Sequence, residues 1–253
     1  MQMLLSDIFQ QLQQGELSNL SMGNRDERGI RPCDYNKILP HINLGLTELY
    51  KRFNLKNNEV VVQQYDHIQT YHLDSRYAQT SIPNPITIPL GGLEISKYYI
   101  MDSIYQPFTD DVLRIEAIHN ELGEELYINQ DRSYYKGSDK YWSVNTPAYN
   151  TIQVPYPENE NQMIVTYRAC HVPIVMDESS NLSRIHVPIS QSYLEPLLMY
   201  VASRVYTNLG TNEGNEGNNY TAKYEASMQR ITELNLKNNE DTFNIKLAEN
   251  GWV

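Results

Sequence analysis

The chain has 253 residues, 40% of them hydrophobic, and a formal net charge of −11. That length suits one large domain or two small ones, and the dispersed apolar residues exclude a disordered composition. The excess of acidic over basic side chains excludes nucleic-acid affinity built on phosphate neutralisation, and two distant cysteines, Cys33 and Cys170, exclude a disulfide framework.

In chain order, Leu4, Leu5, Ile8, Phe9 and Leu12 fall at helical spacing and stop near Gly15. A polar stretch from Ser21 to Arg31 reads as a loop. A second helix is expected to open around Pro32 to Asp34, with an apolar face of Ile38, Leu39, Ile42, Leu46, Leu49, Tyr50 and Phe53. Pro40 is placed in an early turn, where a missing N–H costs least, and Gly45 weakens the middle slightly. The pattern turns to β near Asn58, with Val60 and Val62 alternating and a second alternation over Ile68 to Leu73. Three prolines and two glycines between Ile82 and Gly92 predict a loop or an edge excursion.

From Val112 to Ile174 the chain reads as a run of short strands. Leu113, Ile115 and Ala117 are expected to point one way, and Arg114 and Glu116 the other. Met163, Val165, Tyr167 and Ala169 repeat the pattern. Helix resumes near Ser192, which has capping-box spacing to Glu195. Leu194, Leu197, Leu198, Val201, Ala202, Val205, Tyr206 and Leu209 then form a stripe in which Pro196 is awkward and which Gly210 ends. Gly210 to Asn219 reads as an exposed loop. A last helix carries Tyr220, Tyr224, Met228, Ile231 and Leu234, with Glu233 and Lys237 as an i, i+4 pair. Beyond Asn239, Phe243, Ile245 and Leu247 alternate with polar residues, and Trp252 stands next to the end. Such a tail folds back on its own domain or adds a strand to another chain.

These elements predict an α+β fold: N- and C-terminal helices forming a small bundle, with an inserted, mainly antiparallel β domain. The expected boundaries are 1–57 for the first helices, 58–189 for the β domain, 190–238 for the C-terminal helical pair and 239–253 for an extended tail. No apolar run approaches the roughly 20 residues of a membrane span, and the first residues lack a basic start and a cleavage site, so neither a membrane nor a secretory route is expected. The sequons at Asn19, Asn181 and Asn219 are read as chance.

No chemistry stands out. His67 and His72 are five apart and face opposite sides of a strand, and no Cys-x-x-Cys or His-Glu-x-x-His occurs. Gly91-Gly92 lacks the partners of a phosphate loop, and Glu213 and Glu216 fall short of a calcium loop. Asp110 with Asp111, or Glu124 with Glu125, has the residue types of a glycosidase pair, but strand neighbours diverge. Cys170 beside His171 has no orienting partner in view. No enzyme activity, cofactor or metal is expected. Tyrosine is abundant, 20 against 4 Phe and 2 Trp, which suits either association surfaces or half-exposed strand faces.

Three phrases carry a resemblance: Asp111-Val112-Leu113-Arg114-Ile115-Glu116-Ala117-Ile118 with Leu122-Gly123-Glu124-Glu125-Leu126; Trp142 to Pro155; and Met163 to Pro173. In that order and spacing, with the helices from Ser192 to Leu209 and Tyr220 to Leu234, the chain resembles the head-to-tail adaptor (connector, or ring) proteins of short-tailed bacteriophages. The likeness runs from Asp34 to Ile231. It implies a virion protein assembled in the host bacterial cytoplasm, in a ring of identical subunits, about twelve as a rule, seated under the portal. The ring extends the DNA channel, which DNA passes without specific binding, and docks the tail or further ring proteins. Expected partner contacts are Phe243, Ile245, Leu247, Trp252, Tyr220 and Tyr224. The alternative is a carbohydrate- or receptor-binding β module of a virion, with Tyr134, Tyr135, Tyr141 and Trp142 as stacking residues.

Overall fold

A computed structural model describes residues 3–18, 30–81, 88–90, 93–95, 98–129, 143–159, 161–177, 181–207 and 214–234. The chain divides into a helical unit, 1–55 with 171–253, and a β unit, 56–170. The fold is α+β with antiparallel sheets. The second boundary, expected near 189, lies at Cys170 and His171. The stretch after it belongs with the helices because it pairs there: strand β12 (His186–Val187) bonds strand β1 (Met3–Leu4).

In the helical unit, α1 (Leu5–Gln14) buries Leu5, Ile8, Phe9 and Leu12, the stripe read from the sequence without Leu4, which lies in β1. A 3-10 turn, Pro32–Asp34, leads into α2 (Tyr35–Arg52). Pro40 falls in the second turn of α2, beyond the positions whose N–H lacks a helical acceptor, so it forgoes one bond there. Helix α3 spans Leu194–Thr207 and α4 spans Gly214–Glu233. Ser192 sits inside a 3-10 turn, Gln191–Tyr193, so it does not cap α3, and Pro196 falls in the first turn, where it is tolerated. Leu209 and Gly210 lie outside the described residues.

The expected loop before Asn219 is corrected, since α4 already begins at Gly214. Packing explains it. A Cβ on Gly217 would lie 2.5 Å from Thr207 Oγ1, 3.1 Å from Thr207 N and 3.3 Å from Ser203 O. Glycine therefore lets α4 lie against the backbone of α3, and tertiary contact outweighs its weak propensity. Gly217→Ala is expected to destabilise the chain by about 2 kcal/mol in urea denaturation, because the clash is with backbone as well as a hydroxyl. Gly45 has a similar role. A Cβ there would come within 2.7 Å of Leu197 Cδ1, so the residue read as a weak point sets the approach of α2 to α3.

The β unit holds two four-stranded sheets. One is ordered β6 (Ile100–Met101), β2 (Asn57–Gln63), β11 (Gln162–Ala169), β7 (Val112–Asn120). The other is β3 (Thr70–His72), β10 (Thr151–Gln153), β9 (Ser143–Ala148), β8 (Tyr127–Ile128), antiparallel except for β8 with β9. Apolar side chains of both sheets form one core: Val60, Val62, Ile118 and Val165 from the first, Tyr71 and Ile152 from the second. Part of 82–92 is strand rather than loop: β4 (Ile88–Leu90), with Pro89 inside it, pairs antiparallel with β5 (Leu93–Ile95).

The alternation expected in β7 is corrected. Buried positions are Val112, Ile115 and Ile118, with Leu113 and Ala117 only half-buried. Two bulges cause this. Ala117 pairs with Thr166 and Ile115 with Tyr167, so Glu116 is unopposed; Arg114 pairs with Arg168 and Val112 with Ala169, so Leu113 is unopposed. Each extra residue flips the inward parity. The first bulge also sets Glu116 beside the buried Arg168, at 3.1 Å.

Tyrosine use is largely structural. Tyr71, Tyr99 and Tyr167 are buried in the β unit, and Tyr50, Tyr193, Tyr206 and Tyr224 in the helical unit. Several of their hydroxyls reach backbone. Tyr71 Oη accepts from Tyr65 N at 2.9 Å, Tyr99 Oη from His72 N at 2.8 Å, and Tyr50 Oη donates to Pro188 O at 2.6 Å. Tyr rather than Phe is thus a way to bury a ring beside irregular backbone.

Candidate interaction surfaces

The polar groups singled out as chemical candidates are engaged in holding loops. Asp110, at a positive φ of 55°, accepts from Ser75 N and Ser75 Oγ, both at 2.5 Å. Asp111 accepts from Lys56 Nζ at 3.0 Å, Asn58 Nδ2 at 3.1 Å and Tyr167 Oη at 2.9 Å. The two carboxylates therefore serve different elements, a 3-10 turn and the strands β2 and β11, and do not converge. Glu124 receives Asn120 Nδ2 at 3.0 Å, closing the turn after β7. Burial, with the Asp111 carboxylate next to it, raises the Tyr167 phenol well above its ordinary range, so Tyr167 stays a donor.

Three of the histidines are engaged similarly. His72 Nδ1 lies 3.1 Å from Thr151 Oγ1 across the β3–β10 pair, and His67 Nδ1 lies 3.1 Å from Asp66. His171 is buried, with Nε2 3.2 Å from Thr47 Oγ1 and 3.1 Å from Asn43 O. Its ring is a brace between α2 and the returning chain of the helical unit. The Asn43 side chain completes that brace by donating to Ile174 O and accepting from Ile174 N, both at 2.9 Å. Among the described residues, no three His, Cys, Asp or Glu side chains form a metal cluster, and no helix is long and apolar enough to cross a membrane.

One carboxylate is markedly perturbed. Asp74 caps the 3-10 turn Ser75–Tyr77 and accepts from the Arg76 side chain at 2.9 and 2.8 Å and from Arg76 N at 2.9 Å. These bonds, the guanidinium first, hold its carboxyl down to about 2 from an ordinary 3.8. A depressed folded value means that the cap stabilises above the unfolded value and loses that stabilisation as pH falls through the folded one. Asp74→Asn is therefore expected to lower the urea midpoint above pH 3.8, with the gap to the parent closing by about pH 2. Exposure of both side chains keeps the effect small.

Four of the expected partner contacts, Phe243, Ile245, Leu247 and Trp252, lie outside the described residues, as do Tyr134, Tyr135, Tyr141 and Trp142. The other two lie in α4, where Tyr220 is half-buried and Tyr224 buried. Tyr224 is buried, edge-on to Tyr200 with ring centroids at 5.4 Å and with the Arg52 guanidinium 5.2 Å above it. Burial pushes its phenol up to about 12. Tyr220 stacks on Tyr206 at 5.3 Å, and both hydroxyls donate to Glu16 O. These rings join α4 to the rest of the helical unit.

The exposed apolar residues are elsewhere. In the β unit, Ile104 is 87% and Tyr105 96% exposed, on a turn closed by Gln106 N donating to Ser103 O at 3.0 Å. Asp102 braces the turn by accepting from Phe108 N at 2.9 Å, Thr80 N at 2.9 Å and the Thr80 hydroxyl. Leu122 is 76% exposed on the turn after β7, and Tyr149 and Tyr156 are exposed on two further turns. In the helical unit, Val172 and Val175 are exposed on the strap that Asn43 holds. Sequence reading missed the Ile104–Tyr105 turn. Its signal was an Asp-Ser pair four residues before Pro107, the chemistry of a tight turn, with two large apolar residues at its tip. No protein-family model matches the chain, and no curated protein matches it.

Proposed function

We propose that this chain is a structural virion protein without enzyme activity: a head-to-tail connector subunit that forms a ring below the portal, extends the DNA channel and docks the tail. One observation carries the reading most. The polar groups that chemistry would need hold loops, while large apolar side chains stand on hydrogen-bonded turns, facing solvent. Polar groups engaged in loop bonds, with apolar groups on braced turns facing solvent, suit association rather than turnover. The acidic balance agrees with a channel that DNA passes without adhering, since like charge repels the phosphates. The sequence resemblance supplies the place in the particle.

The test is particle counting by mass photometry or cryo-electron microscopy, on the purified chain alone and mixed with a portal protein of the same phage. A closed ring of about twelve copies bound to the portal is the expected result. A strict monomer without portal affinity overturns the reading.

A further inference from the structure

Resting on that reading, we propose that neighbouring copies join by a knob-and-cleft contact in the β unit: the Ile104–Tyr105 turn of one copy seats in the cleft lined by Leu122, Leu126, Val144, Val154 and Tyr156 of the next. The cleft is a cavity of about 260 Å³ at the end of β7. Its floor is apolar and buried, through Leu126, Val144 and Val154, while Leu122 and Tyr156 stand exposed at its mouth. That volume suits one aromatic side chain together with part of a second residue. Buried Gln64, with Glu121, Glu158 and Gln162, also lines it, so a tyrosine seated there has apolar walls for its ring and acceptors for its O–H.

The knob has the properties such a cleft needs. Its tip is the most exposed large apolar pair described in the unit, and its backbone is fixed by the Ser103–Gln106 bonds and the Asp102 brace. A preordered turn loses little entropy on docking. The turn Ser103-Ile104-Tyr105-Gln106 is also uncharged. On a chain of net charge −11, an uncharged knob is one that the acidic rim of another copy does not repel.

Topology makes the partner a second copy. The knob follows β6 and the cleft follows β7, the two opposite edges of one four-stranded sheet, three strand spacings or about 14 Å apart. They also lie toward opposite ends. The turn leaves β6 beyond Met101, which pairs with Val61, toward the Asn57 end of β2, whereas Asn120, at the cleft, and Val62 both pair with Met163. Tyr105, at 96% exposed, does not occupy its own copy's cleft. A knob on one edge and a cleft on the other give a head-to-tail contact, the type that closes into a ring when its rotation allows.

The test uses the full chain with the exposed Cys33 changed to Ser, alone and with the portal protein. Tyr105→Cys combined with Leu122→Cys is oxidised mildly and run on a non-reducing gel. A covalent ladder is expected for the pair, and nothing beyond dimers for either single change. Separately, Ile104→Ser with Tyr105→Ser should weaken self-association about tenfold or more by mass photometry, with an unchanged urea midpoint because both residues are exposed. Rings that persist in the Ser variant, with no ladder from the Cys pair, overturn the contact and leave the ring reading standing. A ladder from open chains or dimers that never close, with no portal binding, supports the contact and overturns the ring. A monomeric parent with no ladder at high concentration overturns both.

Discussion

Asp111→Ala is expected to destabilise the chain by about 3 kcal/mol in urea denaturation, a larger loss than any other single polar change considered. The carboxylate is 9% exposed and accepts from three side chains, Lys56, Asn58 and Tyr167. Truncation leaves the Tyr167 hydroxyl, deep in the β unit, without its acceptor, and an unmet buried donor costs more than a hydrogen bond contributes when present. Place adds to this. Lys56 and Cys170 are the first and last residues of the β unit, and Asp111 takes the side chain of one while its carbonyl accepts from Cys170 N at 2.6 Å. The residue thus pins both ends of the insertion to β7. Asp110→Ala, its sequence neighbour, releases only the bonds to Ser75 at an exposed turn, and about 1 kcal/mol is expected there. Asp111→Asn separates the terms: its amide oxygen still accepts from Tyr167 while the ion pair with Lys56 is lost, so an intermediate value is expected.

The α+β order was legible because the helical stripes are long and nearly free of error. Ile8, Phe9 and Leu12 in α1, or Leu197, Val201 and Val205 in α3, leave no other period available. Strands β2 and β11 were legible for the matching reason, since Val60, Val62, Met163 and Val165 alternate without interruption. What was not legible depends on partners distant in sequence. Nothing local announces that Gly217 meets the Thr207 backbone, so a Gly- and Asn-rich stretch reads as loop until α3 is laid beside it. Ser192 matches a capping box by spacing alone, but the chain enters α3 through a 3-10 turn.

Site reading met the same limit in another form. A tyrosine is equally suited to a core and to an interface, and only the acceptors within reach decide. Tyr220 and Tyr206 share the Glu16 carbonyl, some 190 residues earlier in the case of Tyr206, so no sequence window could have turned them inward. The carboxylates are similar. Asp110 and Asp111 are adjacent, yet one bonds back to Ser75 and the other to Lys56 and Tyr167. By contrast the Ile104–Tyr105 tip was within reach of local reasoning, because its turn chemistry is carried by neighbouring residues.

Ile118→Ala is expected to cost about 3 kcal/mol, while Leu113→Ala costs about 1, although strict alternation from Leu113 would place Leu113 inward and Ile118 outward. Ile118 is fully buried among both sheets, and its removal opens a cavity that rigid strands cannot fill. Leu113 is the unopposed residue of a bulge and only half-buried, so much of its side chain already meets water. The contrast measures the bulges directly. A strand without them would keep Leu113, Ile115 and Ala117 inward, and the two costs would reverse. The bulges have a consequence for the knob-and-cleft contact as well. Because the bulge at Glu116 flips parity between Ile115 and Ile118, both turn into the core, and the Ile118 carbonyl accepts Leu126 N at 2.7 Å. That bond holds Leu126, part of the cleft floor, against the end of β7. Deleting Glu116 removes the unopposed residue itself, so Ala117 follows Ile115 in plain alternation and Ile118 keeps its inward place. That deletion should therefore leave the β unit folded by circular dichroism and the covalent ladder in place. The Ile104→Ser with Tyr105→Ser variant should lose association alone. The register of one strand and the shape of the proposed contact are in this way one property of the sequence.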